Sequence, residues 1–413
     1  MRVLIIGGGF AGLNAAKTLG HKKDVEVTLV DKRNHHLFQP LLYQVATAGL
    51  SPAEIAVPIR NILSDYSNIS VVLDGIERLD LESKKAYSKL GVYEFDFLIM
   101  ACGSSHSYFG NDSWENFAPG LKSLEQATEI RRRILLSFER AENSKDIEEQ
   151  KAYLTFVIVG GGPTGVELAG SIAELSRVTL SKDFRNIDPS KARVILIEAG
   201  PRVLAGFQKS LSDKAQRSLE DSGVQVWTNS MVTNIDKEGV QVGKDFVHTK
   251  CALWAAGVAT SPLTKDVNSN KDKAGRLVVN KDLSLEMYPE VFVTGDMAAF
   301  KNNGDYLPGL APVAIQQGQH AAHNILNKVK GQPTEDFKYF DKGMMATIGR
   351  NKAVLQTDHI KMNGFFAWMA WLIVHIYFLI GFKNRILVLF QWAWAYFTYK
   401  RGARLIVSKK WKE

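Results

Sequence analysis

The sequence predicts an α/β protein in which one strand–turn–helix–strand unit occurs twice, followed by a helical C-terminal module. Three observations predict it. Residues 2–6 (RVLII) stop at Gly7-Gly8-Gly9-Phe10-Ala11-Gly12, helix formers run from Leu13 to Leu19, and a second strand at 25–30 (VEVTLV) ends at Asp31. The pattern returns at 155–159 (TFVIV), which runs into Gly160-Gly161-Gly162-Pro163-Thr164-Gly165, a helix to about Leu175, and a strand at 193–197 (RVILI) that ends at Glu198. From Gly364 the composition changes, and five of the eight tryptophans lie beyond it.

The remaining elements follow from local pattern. The runs 95–100 (FDFLIM) and 251–256 (CALWAA) read as strands leading to Gly103 and Gly257, and 291–294 (VFVT) as a strand closed by Gly295-Asp296. Helical spacing covers 312–327, with Pro312 in the first turn, where its missing N–H costs nothing. Residues 143–151 are polar and charged and read as an exposed connection.

Composition bounds the function. With 413 residues, 46% hydrophobic and 23% charged, the chain suits two or three domains and excludes disordered and low-complexity scaffolds. The net charge is +8, yet eight basic residues and one acid, Glu413, lie from position 383 onward, so the body is close to neutral. A nucleic-acid partner, which would need a basic face on that body, is not expected, whereas a basic tail beside apolar segments points to an anionic lipid surface. The two cysteines, Cys102 and Cys251, form no CxxC pair, which argues against structural zinc, iron–sulfur clusters and disulfide staples. The opening MRVLIIGGGFAG lacks the pattern of a secretory leader, so a cytoplasmic location is expected.

A glycine turn between strand and helix lets a pyrophosphate approach backbone N–H groups at the positive end of the helix dipole. Gly7 makes the tight turn, Gly9 permits close approach, Gly12 lets the helix pack on the sheet, and Asp31 suits a ribose diol. Gly160, Gly162, Thr164 and Gly165 repeat this arrangement, and Glu198 comes later because residues 176–192 lengthen the crossover. An acid there repels a 2′-phosphate, so NADH is expected over NADPH, with Arg202 able to soften the choice. Glu167 reads either as a surface helix residue or as a contact for the nicotinamide end.

Two Rossmann-like units in one chain suit hydride transfer from a nicotinamide to a flavin. The N-terminal copy is the expected FAD site, completed by Gly295-Asp296 and the helix from Pro312. Asp296 would hold ribityl or pyrophosphate groups, its alternative being a turn cap. Cys102 and Cys251 read as small buried filler. Without a dithiol relay, the electrons must leave for a diffusible acceptor.

On GGGFAG, DKRNHHLFQPLLYQVATAGL (31–50), VGGGPTGVELAG (159–170), LWAAGV (253–258), TGDMA (294–298), APVAIQQG (311–318) and DKGMMATIGR (341–350), together with the aromatic tail, the chain resembles the type II NADH dehydrogenases. These are single-subunit, non-proton-pumping NADH:quinone oxidoreductases with FAD. The resemblance implies a glutathione-reductase-like core of two dinucleotide-binding domains and a membrane-binding C-terminal module. It implies domains at 1–115 and 266–335 for tightly bound FAD, 116–265 for NADH, and 336–413 for the membrane. Gln316 and Gln317 match the quinone-site helix, where they would hydrogen-bond quinone carbonyls, and Lys342 matches a lysine near the isoalloxazine. Phe38, Pro40 and Leu41 match the flavin-lining loop. Lys32, Ala101, Gly103, Ala311 and Gly257 complete the expected cofactor-binding set with the glycines and acids above. Two departures stand out. Many relatives carry Ala-Thr-Gly at Ala101-Cys102-Gly103, and some carry a glutamate at Ser171, which leaves the proton donor to quinone unassigned, with Glu174 one turn away. His320 and His323 read as surface residues, and no metal site is expected.

The expected activity is therefore NADH to FAD to membrane quinone. A soluble NADH-dependent reductase of a small iron–sulfur carrier and a non-catalytic nucleotide-sensing membrane adaptor are the alternatives. Sulfide:quinone reductase is disfavoured, because the cysteine set falls short. Residues 364–382 are long enough to cross a bilayer, with His375 the lone ionisable group. Basic residues flank every junction, against the positive-inside tendency for either one or two spans. Helices lying in the cytoplasmic face of the membrane are expected over a span, and a face covered in a homodimer stays open.

Overall fold

The computed structural model describes residues 1–302 and 304–407; the expectations resting on Lys409, Lys410, Trp411, Lys412 and Glu413 lie outside the described residues. The chain forms two compact units. One comprises Met1–Leu37, Ala56–Ser105 and Val258–Lys342; the other comprises Phe38–Ile55, His106–Gly257 and the chain from Gly343 onward.

The first unit is built on a five-stranded parallel sheet, in the order Val291–Val293, Phe97–Met100, Arg2–Ile6, Glu26–Asp31, Ile69–Leu73. The central strands are near-continuous Val, Ile and Leu because a parallel sheet buries both faces. The helix Phe10–Leu19 buries Leu13, Ala15, Ala16 and Leu19, and the helix Ala311–Val329 lies directly against it. The approach is close. A Cβ on Gly318 would stand 2.1 Å from the carbonyl oxygen of Ala11.

The second unit repeats the theme with four parallel strands in the order Val224–Trp227, Arg193–Ile197, Thr155–Val159, Cys251–Trp254. Tyr108, Trp114 and Trp254 pack with Val157, Ile195 and Ile197 as its core. The antiparallel strands Met344–Gly349, Lys352–Gln356 and Lys361–Asn363 sit on the helix Pro163–Glu174, where a Cβ on Gly170 would meet the Ile348 carbonyl oxygen at 1.7 Å.

Two elements differ from the sequence reading. The polar connection at 143–151 is exposed as expected but contains a helix, Ile147–Tyr153, because the Asp146 carboxylate accepts the Glu148 N–H at 2.9 Å and caps it. The apolar stretch 364–382 is not one helix. It divides into Phe365–Phe378 and a following helix, Phe382–Thr398, across Gly381 at φ 89°, with Arg385 donating to the Leu379 carbonyl at 2.7 Å. Among the described residues no helix is long and apolar enough to cross a membrane.

Replacing Gly318 with Ala forces two helix backbones apart, so a stability loss of about 1–3 kcal/mol is expected. Calorimetry would read it as a lowered Tm, and an unchanged Tm would show that the crossing yields freely.

Candidate functional site

The first unit places the Gly7–Gly12 turn between strand and helix as the sequence implies. Gly7 adopts φ 103° and its Cβ would strike the Ala101 carbonyl at 2.4 Å, while a Cβ on Gly12 would meet Gly7 O at 1.8 Å. Gly9 is the opposite case: nothing lies within 4 Å of its Cβ position, so the backbone faces open space. No side chain caps the helix that starts there. Asp31 braces the turn, its Oδ2 accepting from Gly8 N at 2.6 Å and its Oδ1 from Arg33 N at 2.7 Å. Each oxygen retains a lone pair for a hydroxyl. Lys32 beside it is exposed, and Phe10 packs edge-on against the buried His36.

The second unit reproduces the device atom for atom. Gly160 has φ 110° and a Cβ on it would stand 2.7 Å from the Ala255–Ala256 peptide, a Cβ on Gly165 would meet Gly160 O at 1.8 Å, and nothing lies within 4 Å of the Cβ position of Gly162. Glu198 accepts from Gly161 N and Gly200 N, both at 2.6 Å. Thr164 and Pro163 occupy the first helical turn, again without a side-chain cap. Arg202 is committed to the Ala205 carbonyl at 2.8 Å. Gly257 sits at φ 65° under the Phe109 ring. Glu167 is half-buried on the same helix, and burial pushes its carboxyl up to about 8 against a backbone hydrogen bond from Thr347.

The remaining first-unit residues gather around one turn. Asp296 accepts the Ser104 hydroxyl at 2.5 Å, and Gly295 N donates to Gln317 Oε1 at 2.8 Å. Gln317 is 0% exposed; its Oε1 holds this turn from within, and its buried Nε2 has no hydrogen-bond partner among the described residues. Gln316 is half-exposed and pairs reciprocally with the Phe340 backbone, at 2.9 and 3.0 Å. Lys342 is exposed, and Ala311 opens an uncapped helix N-terminus. Burial pushes the thiols of Cys102 and Cys251 up to about 12, leaving no thiolate at neutral pH. His320 is tied to the Glu335 carbonyl at 2.8 Å.

Residues 38–55 of the second unit carry Pro40 on a short turn before the helix Leu42–Ala46. The helix Phe382–Thr398 meets this segment through polar groups. Trp392 Nε1 donates to Gln44 Oε1 at 2.7 Å, Gln391 to Glu54, and Arg401 to the Thr47 carbonyl at 2.8 Å. Its opposite face presents Phe382, Leu389, Phe390, Trp394 and Phe397, all exposed. His375, stacked on Trp371 and donating to its carbonyl, faces inward, and burial lowers its ring to about 4. Sequence reading missed Gln44, Thr47 and Arg401. The first two are unmarked polar residues, and Arg401 looks like one more charge of a basic tail.

Comparison with known proteins agrees with this geometry. Residues 1–318 match the pyridine nucleotide-disulphide oxidoreductase family and residues 342–400 the NDH2 C-terminal domain. The type II NADH:quinone oxidoreductase NdhA of Mycobacterium tuberculosis is 45% identical over 99% of this chain and 90% of its own length. The chain belongs to the type II NADH:quinone oxidoreductase family. Another relative, from Staphylococcus haemolyticus, is 29% identical over 86% of this chain and 89% of its own length. The structure of NDH2 from Plasmodium falciparum in complex with NADH shares the fold, with a TM-score of 0.88 at 20% identity, covering 98% of this chain and 99% of that one. FAD fits the type II site in the first unit, where the open Gly9 face, the uncapped helix and the braced Asp31 supply what a dinucleotide requires.

The raised Glu167 carboxyl makes a signed prediction. A carboxyl near 4.5 when unfolded and about 8 when folded binds its proton more tightly in the fold. Its stability contribution is therefore complete below pH about 4.5 and lost as pH rises through about 8. Glu167→Gln should flatten the fall in Tm between pH 5.5 and 8.5 relative to wild type; parallel Tm curves would refute the assignment.

Proposed function

We propose that this chain is an FAD-dependent NADH:quinone oxidoreductase working on the cytoplasmic face of a membrane. The observation that carries the reading is a pair of glycine cradles, each braced by its own carboxylate, in a chain of this family whose two cysteines stand apart as free thiols. When bound, FAD accepts a hydride and returns electrons to an acceptor. The residues do the rest. Gly7, Gly9, Phe10, Ala11 and Gly12 present backbone and helix dipole to its pyrophosphate, and Asp31 takes its ribose. Asp296, held by Ser104 and by the turn that Gln317 secures, faces the remaining polar groups. Gly160, Gly162, Thr164 and Gly165 receive the NADH pyrophosphate. Glu198, fixed by two backbone N–H groups, accepts from the ribose diol and repels a 2′-phosphate. Glu167, whose carboxyl burial pushes up to about 8, suits the amide end of the nicotinamide. Lys342, as an exposed cation, favours negative charge on a reduced flavin, and Gln316 ties the helix Ala311–Val329 to the segment leading to Lys342.

Membrane quinone is the acceptor in this reading. The exposed stripe Phe382, Leu389, Phe390, Trp394 and Phe397, flanked by Lys383 and Lys400, suits a helix lying in an anionic headgroup layer.

The test is direct. Purified full-length protein should retain FAD and oxidise NADH with a water-soluble quinone, and Glu198→Gln should narrow the preference for NADH over NADPH by roughly tenfold, the loss of about 1.4 kcal/mol of discrimination. Phe390→Ser with Trp394→Ser should weaken binding to anionic vesicles while leaving turnover of the soluble quinone intact. A flavin-free protein inert to NADH would refute the reading, and tight NADH binding without turnover would favour a sensing role.

A further inference from the structure

The basic segment that follows the aromatic helix does something a lipid-facing tail does not: it turns back into the protein. Tyr399 adopts φ 61°, a left-handed conformation that L side chains avoid. The reversal is held by Arg350, which donates to the Ala395 and Tyr396 carbonyls at 2.7 and 2.6 Å and stacks its guanidinium 3.9 Å from the Tyr399 ring centre. Two residues later Arg401 enters the interior, its side chain only 10% exposed.

The hydrogen bonds around Arg401 have one possible direction. Thr47 Oγ1 lies 2.9 Å from the Tyr43 carbonyl, which can only accept, so the Thr47 hydroxyl proton points there. The 2.8 Å contact between Thr47 Oγ1 and Ser171 Oγ therefore uses the Ser171 proton. Ser171 Oγ is left as an acceptor, and Arg401 Nη1 fills it at 3.3 Å while also donating to the Thr47 carbonyl at 2.8 Å. Arg401 Nη2 stands 3.6 Å from Glu174, one turn further along the helix that carries Ser171. From the other side, Trp392 Nε1 donates to Gln44, whose Nε2 donates to the Tyr43 hydroxyl at 2.9 Å.

We propose that Arg401 is a positioning residue for the reaction: it starts a one-way hydrogen-bond chain, Arg401 to Ser171 to Thr47 to Tyr43, that locks the short helix Leu42–Ala46 and the loop before it onto the NADH-cradle helix Pro163–Glu174. A planar guanidinium serves three acceptors at once, which a lysine ammonium on a single stem does not reproduce. The NADH phosphate and ribose contacts sit at the far end of that helix, two turns from Ser171, so loss of Arg401 leaves nucleotide affinity in place and disturbs the turn that carries Phe38, Pro40 and Leu41.

The experiment compares full-length, FAD-loaded wild type with Arg401→Ala, Arg401→Lys and, as a surface control, Lys214→Ala on the exposed side of the helix Lys209–Asp221. Hydrogen exchange of the amides at 42–49 should quicken by about tenfold in Arg401→Ala, with 155–159 and 193–197 unchanged. Turnover of a water-soluble quinone should fall about tenfold in kcat, with the KM for NADH within about threefold of wild type. Arg401→Lys should recover part of both losses, and Lys214→Ala should match wild type. The inference rests on the oxidoreductase reading for its kinetic arm alone; the exchange arm stands without turnover. Wild-type exchange at 42–49 in Arg401→Ala, or a uniform rise across both sheets, would overturn it.

Discussion

A carboxylate at the end of a second strand, holding the middle glycine of a neighbouring turn, is the contact on which both nucleotide sites depend. Asp31 grips Gly8 and Glu198 grips Gly161 at the same 2.6 Å, each with a second backbone N–H two residues past the acid. A glycine loop is entropically costly to order. A charged, doubly accepting brace makes it rigid. The shape of the turn thus comes from one side chain in each unit. Because each acid is held by backbone, its position does not depend on the rotamer of any neighbour.

The C-terminal helix has two chemically distinct faces. Beyond its first turn its sequence is largely apolar and aromatic, yet Gln391, Trp392 Nε1 and the carbonyls at Ala395 and Tyr396 are engaged by protein partners. The large side chains that remain, Phe390, Trp394 and Phe397, find no such partner and stand exposed. The break at Leu379–Gly381 keeps the two helices short, which favours lying along a surface over crossing it.

Much of the fold was legible because its signals are local. Short Val/Ile/Leu runs ending at glycine triplets predicted both parallel sheets, and the strand boundaries at 2–6, 155–159 and 193–197 agree with the structure. What was not legible shares a cause. Gln316 and Gln317 look alike in sequence, and only packing reveals that Gln317 is buried and holds Gly295. Residues 38–55 adjoin the first nucleotide motif in sequence, yet group with the second unit, because their contacts run to the helices Leu124–Asn143 and Pro163–Glu174. The polar stretch at 143–151 became partly helical through a single cap.

Covalent order along the chain was enough to establish the duplicated unit, the acids that close each cradle, the lack of a CxxC pair and the aromatic, basic composition after Gly364. Those properties depend on periodicity, spacing and composition, which are written in one dimension. Where Arg401 goes, which way the Ser171 hydroxyl points and which glutamine is buried depend on contacts between residues far apart in the chain. A basic tail residue and a buried strut have the same letter. Desolvation and the company of Thr47, Ser171 and Glu174 separate them, and folding alone supplies both.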